Sequence, residues 1–290
     1  MILTLSAVLV EVIVLVIVSA RAGSPTLVRD SIYSAVMLDI NGILGVAALI
    51  GGFKHGEQAY NDDSARTYSV MILTAVTVSM IIPAFVPQSG WQAYSAFTVV
   101  AMLLLYGVFL RMQTGPHSYF FSYSYPEKNS RRQAPASGFP HWRQSAVVIA
   151  VGIVTVGALA ELMSHSLNRS LKGFDVPIGL LALIVAGISA APEMLTAFRA
   201  ALANRMQSVV NIALGASLST VILTVPAMEA MAMISGQRIN MAMTPLQTLM
   251  MLVTLLAAAI NLNDGQTNAI EGMTHFVLFG AFLTLLALGV

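Results

Sequence analysis

Seven carboxylates stand inside or at the edges of long apolar runs: Glu11, Asp39, Glu161, Glu193, Glu229, Asp264 and Glu271. An ionisable group in hydrocarbon costs roughly 2.5–3.5 kcal/mol on insertion scales, so each such acid is a functional candidate until a structural partner accounts for it. Carboxylate oxygens serve two chemistries in that setting. They ligate hard cations, which require oxygen donors, and they carry protons. Glu11 and Glu193 are the best placed, each in mid-run with small and hydroxyl residues nearby. The stretch before Glu193 reads Gly187-Ile188-Ser189-Ala190-Ala191-Pro192, and Pro192 has no amide hydrogen, so a helix broken there leaves carbonyl oxygens beside a carboxylate. Oxygen donors at a broken helix near the midplane are the means by which secondary transporters hold Ca²⁺ or Na⁺.

The other acids carry less. Glu161 lies one turn from Ser164 and His165, and Glu229 follows Pro226, so both read as interfacial acids whose charge reaches water. Asp264 and Glu271, with Asn268 between them, either line a proton or cation path or open a helix with Asp264 as its cap. The run after each mid-run glutamate adds polar atoms. Asp39-Ile40-Asn41-Gly42 follows Glu11, and Asn211 to Gly215 with Ser217-Leu218-Ser219-Thr220 follows Glu193.

These side chains must be positioned within lipid. Of 290 residues, 57% are hydrophobic and only 27 are charged, 14 basic and 13 acidic, too few to cover a soluble surface. The net charge of +1 gives no footprint for nucleic acid, and the absence of cysteine excludes disulfides and thiol chemistry. Nine runs are long enough to cross a bilayer as helices: Met1 to Ala20, Arg29 to Gly52, Thr67 to Phe85, Trp91 to Met112, Arg143 to Ser164, Val176 to Ala203, Met206 to Ser235, Thr244 to Leu262 and Thr267 to Val290. Their apolar residues run all round without alternation, which predicts an all-α polytopic bundle and not a β-barrel. The first run lacks a basic start and carries Glu11, so it reads as a span and not a secretion signal.

The Ser-, Pro- and Tyr-rich segment 113–142 divides the chain into a half of four spans, residues 1–112, and a half of five, residues 143–290. Counting alternate connections puts nine basic residues, including Lys54, Arg66, Lys128 and Arg205, on one side and five on the other. That imbalance predicts a cytoplasmic central loop and an outer C-terminus. Spans one and six, bearing Glu11 and Glu193, then cross in opposite directions, the geometry of two inverted-topology repeats whose half-sites meet near the midplane.

At this point the residues resemble a known family, the calcium/proton antiporters of the cation/calcium exchanger superfamily, most closely the bacterial ChaA type. The resemblance covers nearly the whole chain. Pro192-Glu193, Asn204-Arg205-Met206, Ala213-Leu214-Gly215 and Val225-Pro226 look like the second alpha-repeat. Asp264-Gly265-Gln266-Thr267-Asn268-Ala269-Ile270-Glu271-Gly272 resembles the Asp-Gly-x-Ser-Asn-x-x-Glu-Gly signature. Gly51-Gly52, Glu57-Gln58 and Asn61 resemble the segment after the first repeat.

The resemblance implies a sodium/calcium-exchanger-like bundle in a bacterial inner membrane that exchanges Ca²⁺ for H⁺, with Na⁺ or K⁺ as alternative substrates. It implies a cation site of Glu11 and Glu193 with Asn41 and Ser219 as neighbours. Asp39, Asp264, Asn268 and Glu271 remain candidates for the path. No resident cofactor is implied. The sequence departs from the family in three ways: no Gly or Pro precedes Glu11, Ala216 replaces a common Ser, and the central loop holds one acid, Glu127, against three bases. Relatives usually have about eleven spans, so the chain reads as N-terminally shortened.

The remaining polar residues fit structural roles. His275 is one turn beyond Glu271 and reads as a hydrogen-bond partner, while the other four histidines show no metal spacing. The 17 methionines read as packing, and Tyr119, Tyr123 and Tyr125 with Phe120 and Phe121 as an interfacial belt or a loop packing on the membrane surface. No nucleophile elbow, metal triad or phosphate loop supports an enzyme. The alternatives to antiport are a passive cation channel and a shortened membrane protein that does not transport.

Overall fold

The computed structural model describes residues 25–115, 118–123, 178–236 and 239–289, with isolated positions between 12 and 16 and between 147 and 162. Nine α-helices cover these segments: α1 (Leu27–Met37), α2 (Gly45–His55), α3 (Asp62–Val76), α4 (Trp91–Thr114), α5 (Ile178–Leu202), α6 (Met206–Ser219), α7 (Val225–Ser235), α8 (Pro245–Asn261) and α9 (Ala269–Ala287). Three wider π-helical segments, Leu38–Leu44, Thr77–Ile81 and Thr220–Thr224, continue helices where an ordinary turn would be expected. The helices combine into six stretches long and apolar enough to cross a membrane: Leu27–His55, Asp62–Phe85, Gln88–Thr114, Gly179–Leu202, Met206–Ser235 and Ala269–Ala287, with the shorter apolar Pro245–Asn261 beside them. They match seven of the nine expected runs. The other two, Met1–Ala20 and Arg143–Ser164, fall outside the described residues apart from isolated positions.

Local chemistry sets the helix ends. Asn61 caps α3 by accepting from the Asp63 amide at 3.0 Å, and Asp62 and Asp63 place negative charge at the positive end of the dipole. Thr244 and Gln247 close a reciprocal capping box on α8, with Pro245 at the first helical position. Gly236 ends α7 with φ 69°, a left-handed conformation that glycine adopts without a Cβ clash.

Two polar rims hold the bundle together. On one, Lys54 and His55 reach the Leu202 carbonyl at 2.9 and 3.0 Å, and Gln58 donates to the Ala201 carbonyl and Asn204 Oδ1. The two-residue strands β1 (Gln58–Ala59) and β2 (Gln266–Thr267) pair there in antiparallel fashion. On the other, the Asn240 amide meets the Pro25 carbonyl and the Met243 amide meets the Met80 carbonyl. Lys54, Arg66, Arg111, Arg199 and Arg205 gather on the first rim, and Arg29 is the one described basic residue on the second.

The rims also fix direction. Leu27–His55 runs from the second rim to the first, whereas Met206–Ser235, its counterpart in the other half, runs from the first to the second. Each contains a π-helical segment at mid-length. The two halves therefore have inverted topology. Apolar side chains such as Phe53, Leu104, Ile260 and Val277 point out of the bundle, as a lipid-facing surface requires.

α2 packs closely on α9, where glycines replace side chains. A Cβ on Gly272 would overlap the Leu49 backbone and stand 2.8 Å from the Ala48 carbonyl carbon, and one on Gly45 would stand 2.7 Å from His275 Cβ. Backbone cannot yield as a flexible side chain does, and small residues permit this approach in a membrane bundle. Gly272→Ala is expected to destabilise the fold by about 1–3 kcal/mol, the usual range for overpacking. The midpoint of thermal unfolding in detergent would measure it.

Candidate cation site

Glu193 lies half-buried on α5, directly after Pro192. Pro192 was expected to break this helix, yet α5 is continuous over 25 residues. One missing amide removes a single hydrogen bond, and flanking bonds keep the helix continuous, with the Thr196 hydroxyl donating to the Pro192 carbonyl at 2.8 Å. The irregular backbone appears instead in the following spans, as the π-helical segments 38–44 and 220–224. Such insertions cluster at functional sites because they re-aim side chains without ending the helix.

The first of these segments holds Asp39, which is 3% exposed. Ser217 of α6 donates to Asp39 Oδ2 at 3.1 Å, so a carboxylate of one half and a hydroxyl of the other meet in the interior. The segment Leu38–Leu44 also packs against α5, the helix that carries Glu193. Asp39 thus stands at the junction of both halves. Ser217 lies on the buried stripe Met206, Val210, Ala213 and Val221, a 3.6-residue pattern that marks it as inward-facing from the sequence. Ser219, expected beside the cation, instead donates to the Gly215 carbonyl on its own helix at 2.8 Å.

Asn41 is fully buried with its amide engaged at both ends. Its Nδ2 donates to Thr254 Oγ1 at 2.7 Å, and its Oδ1 faces His275 Nδ1 at 2.9 Å. That geometry ties the segment 38–44 to α8 and α9 through the Asn41 amide. His275 accordingly pairs with Asn41 and not with Glu271. Asn211 is likewise committed, accepting from Gln207 at 2.9 Å and donating to the Phe121 carbonyl at 3.0 Å.

The acids of the Asp264 signature sit at the basic rim. Asp264 is exposed and accepts from the Gln266 amide at 3.0 Å, which shapes the turn into β2. The cap of α9 is Asn268 and not Asp264, because the helix starts four residues later than the cap reading required. Asn268 Oδ1 accepts from the Ile270 and Glu271 amides at 2.9 and 3.1 Å, and its Nδ2 donates to Glu271 Oε1 at 3.1 Å. Asn268→Ala is expected to cost about 1 kcal/mol of helix stability. Hydrogen exchange at the first amides of α9 would register it. Tyr60, between the first two described spans, donates to the Gln266 carbonyl at 3.0 Å; burial, then the nearby Asp264, Glu271 and Asp62, raise its phenol well above the usual range, so it remains a donor.

Two residues, Phe121 and Glu229, depart from the aromatic and acidic expectations. Phe121 is buried against Tyr68 and Phe109, both 5.5 Å away between ring centroids, because Asn61 and Asn211 draw its backbone turn onto the bundle. It therefore does not belong to a surface belt. Glu229, expected to reach water, is 5% exposed. Glu11 and Glu161 lie outside the described residues, although Leu15 is buried in the main core and Val12 and Val16 pack against it.

Comparison with known proteins places this geometry. The sodium-potassium/proton antiporter ChaA of Escherichia coli is 29% identical over 288 residues, spanning 98% of this chain and 78% of that one. The Ca²⁺/H⁺ antiporter ChaA of Bacillus subtilis is 25% identical, spanning 88% of this chain and 73% of its own. Among solved structures, the selenium-substituted Ca²⁺/H⁺ antiporter YfkE superposes with a TM-score of 0.74 at 20% identity, covering 96% of this chain and 81% of that one. The sodium/calcium exchanger protein model matches residues 1–115 and 144–288. The chain is a polytopic membrane protein of the sodium/calcium exchanger family.

Proposed function

We propose that this protein is a secondary active antiporter that exchanges a cation for protons across a bacterial plasma membrane, with Ca²⁺ as the principal substrate and Na⁺ or K⁺ as alternatives. The observation that carries this reading is the placement of Glu193: a half-buried carboxylate in mid-helix, on the helix against which the Asp39 segment packs. The names of the two bacterial relatives, one a sodium-potassium/proton and one a Ca²⁺/H⁺ antiporter, agree with it.

In this reading Glu193 and Glu11 supply the exchanging carboxylates, one from each half. Cation and proton compete for the same oxygens, so the arrival of one displaces the other. Coupling then requires only that the site open to one side at a time, which two inverted halves rocking about the interface provide. Asp39, held by Ser217, contributes negative potential at that interface, and Glu271 marks the entrance at the basic rim. The basic rim faces the cytoplasm in accordance with the positive-inside pattern.

Everted membrane vesicles test the proposal. A respiration-driven pH gradient should drive Ca²⁺ into vesicles that contain the wild-type protein. Equal uptake by vesicles lacking the protein would remove the assignment.

A further inference from the structure

We propose that Glu229 is a proton-binding site separate from the exchange centre, a carboxylic acid that keeps its proton while a cation is bound elsewhere. Glu229 projects from α7 with 5% of its surface exposed, and among the described residues its Oε2 has no hydrogen-bond partner. Seven helical steps separate it from Gly236, which places it about 10 Å beneath the rim opposite the basic one.

Among the described residues, the elements packed most extensively against α7 are α4 and the π-helical segment Thr220–Thr224. The segment carries no titratable residue, and α4 carries Tyr94, Tyr106 and Arg111. Tyr94 is within electrostatic reach of Glu229, but its hydroxyl donates to the Val78 carbonyl at 2.7 Å. Arg111 lies about 25 Å further along the same helix, at the basic rim. Among the described residues the ion pairs are Arg29 with Asp30 and Arg66 with Asp62, so no cation partners Glu229.

An ionised carboxylate here would be a buried charge without a counter-ion or a full set of donors, and a proton removes that charge. A metal ion is a poor alternative ligand, because α4, α7 and the segment 220–224 offer no second acid and hard cations need six to eight oxygens. The ligand class is therefore the proton. The site differs from Glu193 in lacking any feature that would admit a cation, so its proton should be indifferent to substrate.

Infrared spectroscopy of the purified protein in lipid tests this directly by the carbonyl stretch of a protonated carboxylic acid. At neutral pH the wild-type protein should show such a band, shifted in deuterated water, that survives saturating Ca²⁺ and disappears in Glu229→Gln. A wild-type protein without a Ca²⁺-insensitive acid band, or one whose band persists unchanged in Glu229→Gln, would overturn the proposal. Glutamine reproduces the neutral acid in shape and charge, so a Glu229→Gln protein that fails to fold would also count against it. The measurement requires no transport and remains informative if the antiport reading fails.

Discussion

Glu193→Gln is expected to abolish coupled exchange while leaving the protein folded. Glutamine preserves the size of the side chain and one carbonyl oxygen but removes the negative charge and the capacity to release a proton, the two properties that the exchange cycle uses. Outer-shell partners of metal ligands typically contribute 10–100-fold to affinity, so loss of a ligand's charge should reduce Ca²⁺ transport by at least ~100-fold. The structure gives reason to expect folding to survive. Glu193 is only half-buried, and no ion pair to it occurs among the described residues. Initial rates of Ca²⁺ uptake, normalised to monodisperse protein, would measure the loss. Wild-type rates in this variant would exclude Glu193 from the cycle.

The second large effect is expected at the opposite rim. Arg29 and Asp30 form a pair with an Nη2–Oδ1 distance of 2.7 Å and side chains 9% exposed. Arg29 also donates from Nη1 to the Ala242 carbonyl at 2.9 Å, and Gln247 donates to Asp30 Oδ1 at the same distance. The pair therefore ties the start of α1 to the connection between α7 and α8. Asp30→Asn leaves a buried guanidinium without its counter-ion, which typically costs about 3–5 kcal/mol, a large share of the stability of an ordinary domain. Neutralising both partners removes the uncompensated charge, so Arg29→Gln combined with Asp30→Asn should be less harmful than Asp30→Asn alone. Thermal unfolding of the two variants in detergent would show the order. A single variant as stable as the wild type would mean that water reaches the pair and screens it.

Much of the architecture was legible in the residues because lipid imposes one dominant rule, that a span be long, apolar and helical. Seven expected runs appear as helices within a few residues of their predicted ends, and Glu193 stood out as a candidate because charge is scarce. What was not legible depended on contacts between distant residues. Asn41 looked like a ligand in isolation, and its hydrogen bonds to His275 and Thr254, more than 200 positions away, could not be read from its own neighbourhood. Ser219 and Ser217 differ by two residues, but only Ser217 shares the buried stripe, and helical periodicity could have distinguished them. Glu229 was assigned to the interface because it follows a proline near a helix end, whereas α4 covers it. The π-helical segments left no signal in composition. Those at 38–44 and 220–224 arise where the two halves meet, and that meeting is a property of the fold.

The most direct test of the account is coupling. Purified protein in liposomes, with the membrane potential clamped and an alkaline-to-acid pH gradient imposed, should accumulate Ca²⁺ against its own gradient and lose that ability when a protonophore collapses the pH difference. A reciprocal Ca²⁺ gradient should move protons the other way, visible with a trapped pH dye. Ca²⁺ that flows only down its own gradient, at a rate indifferent to pH and without counter-movement of protons, would contradict antiport and identify a passive pathway.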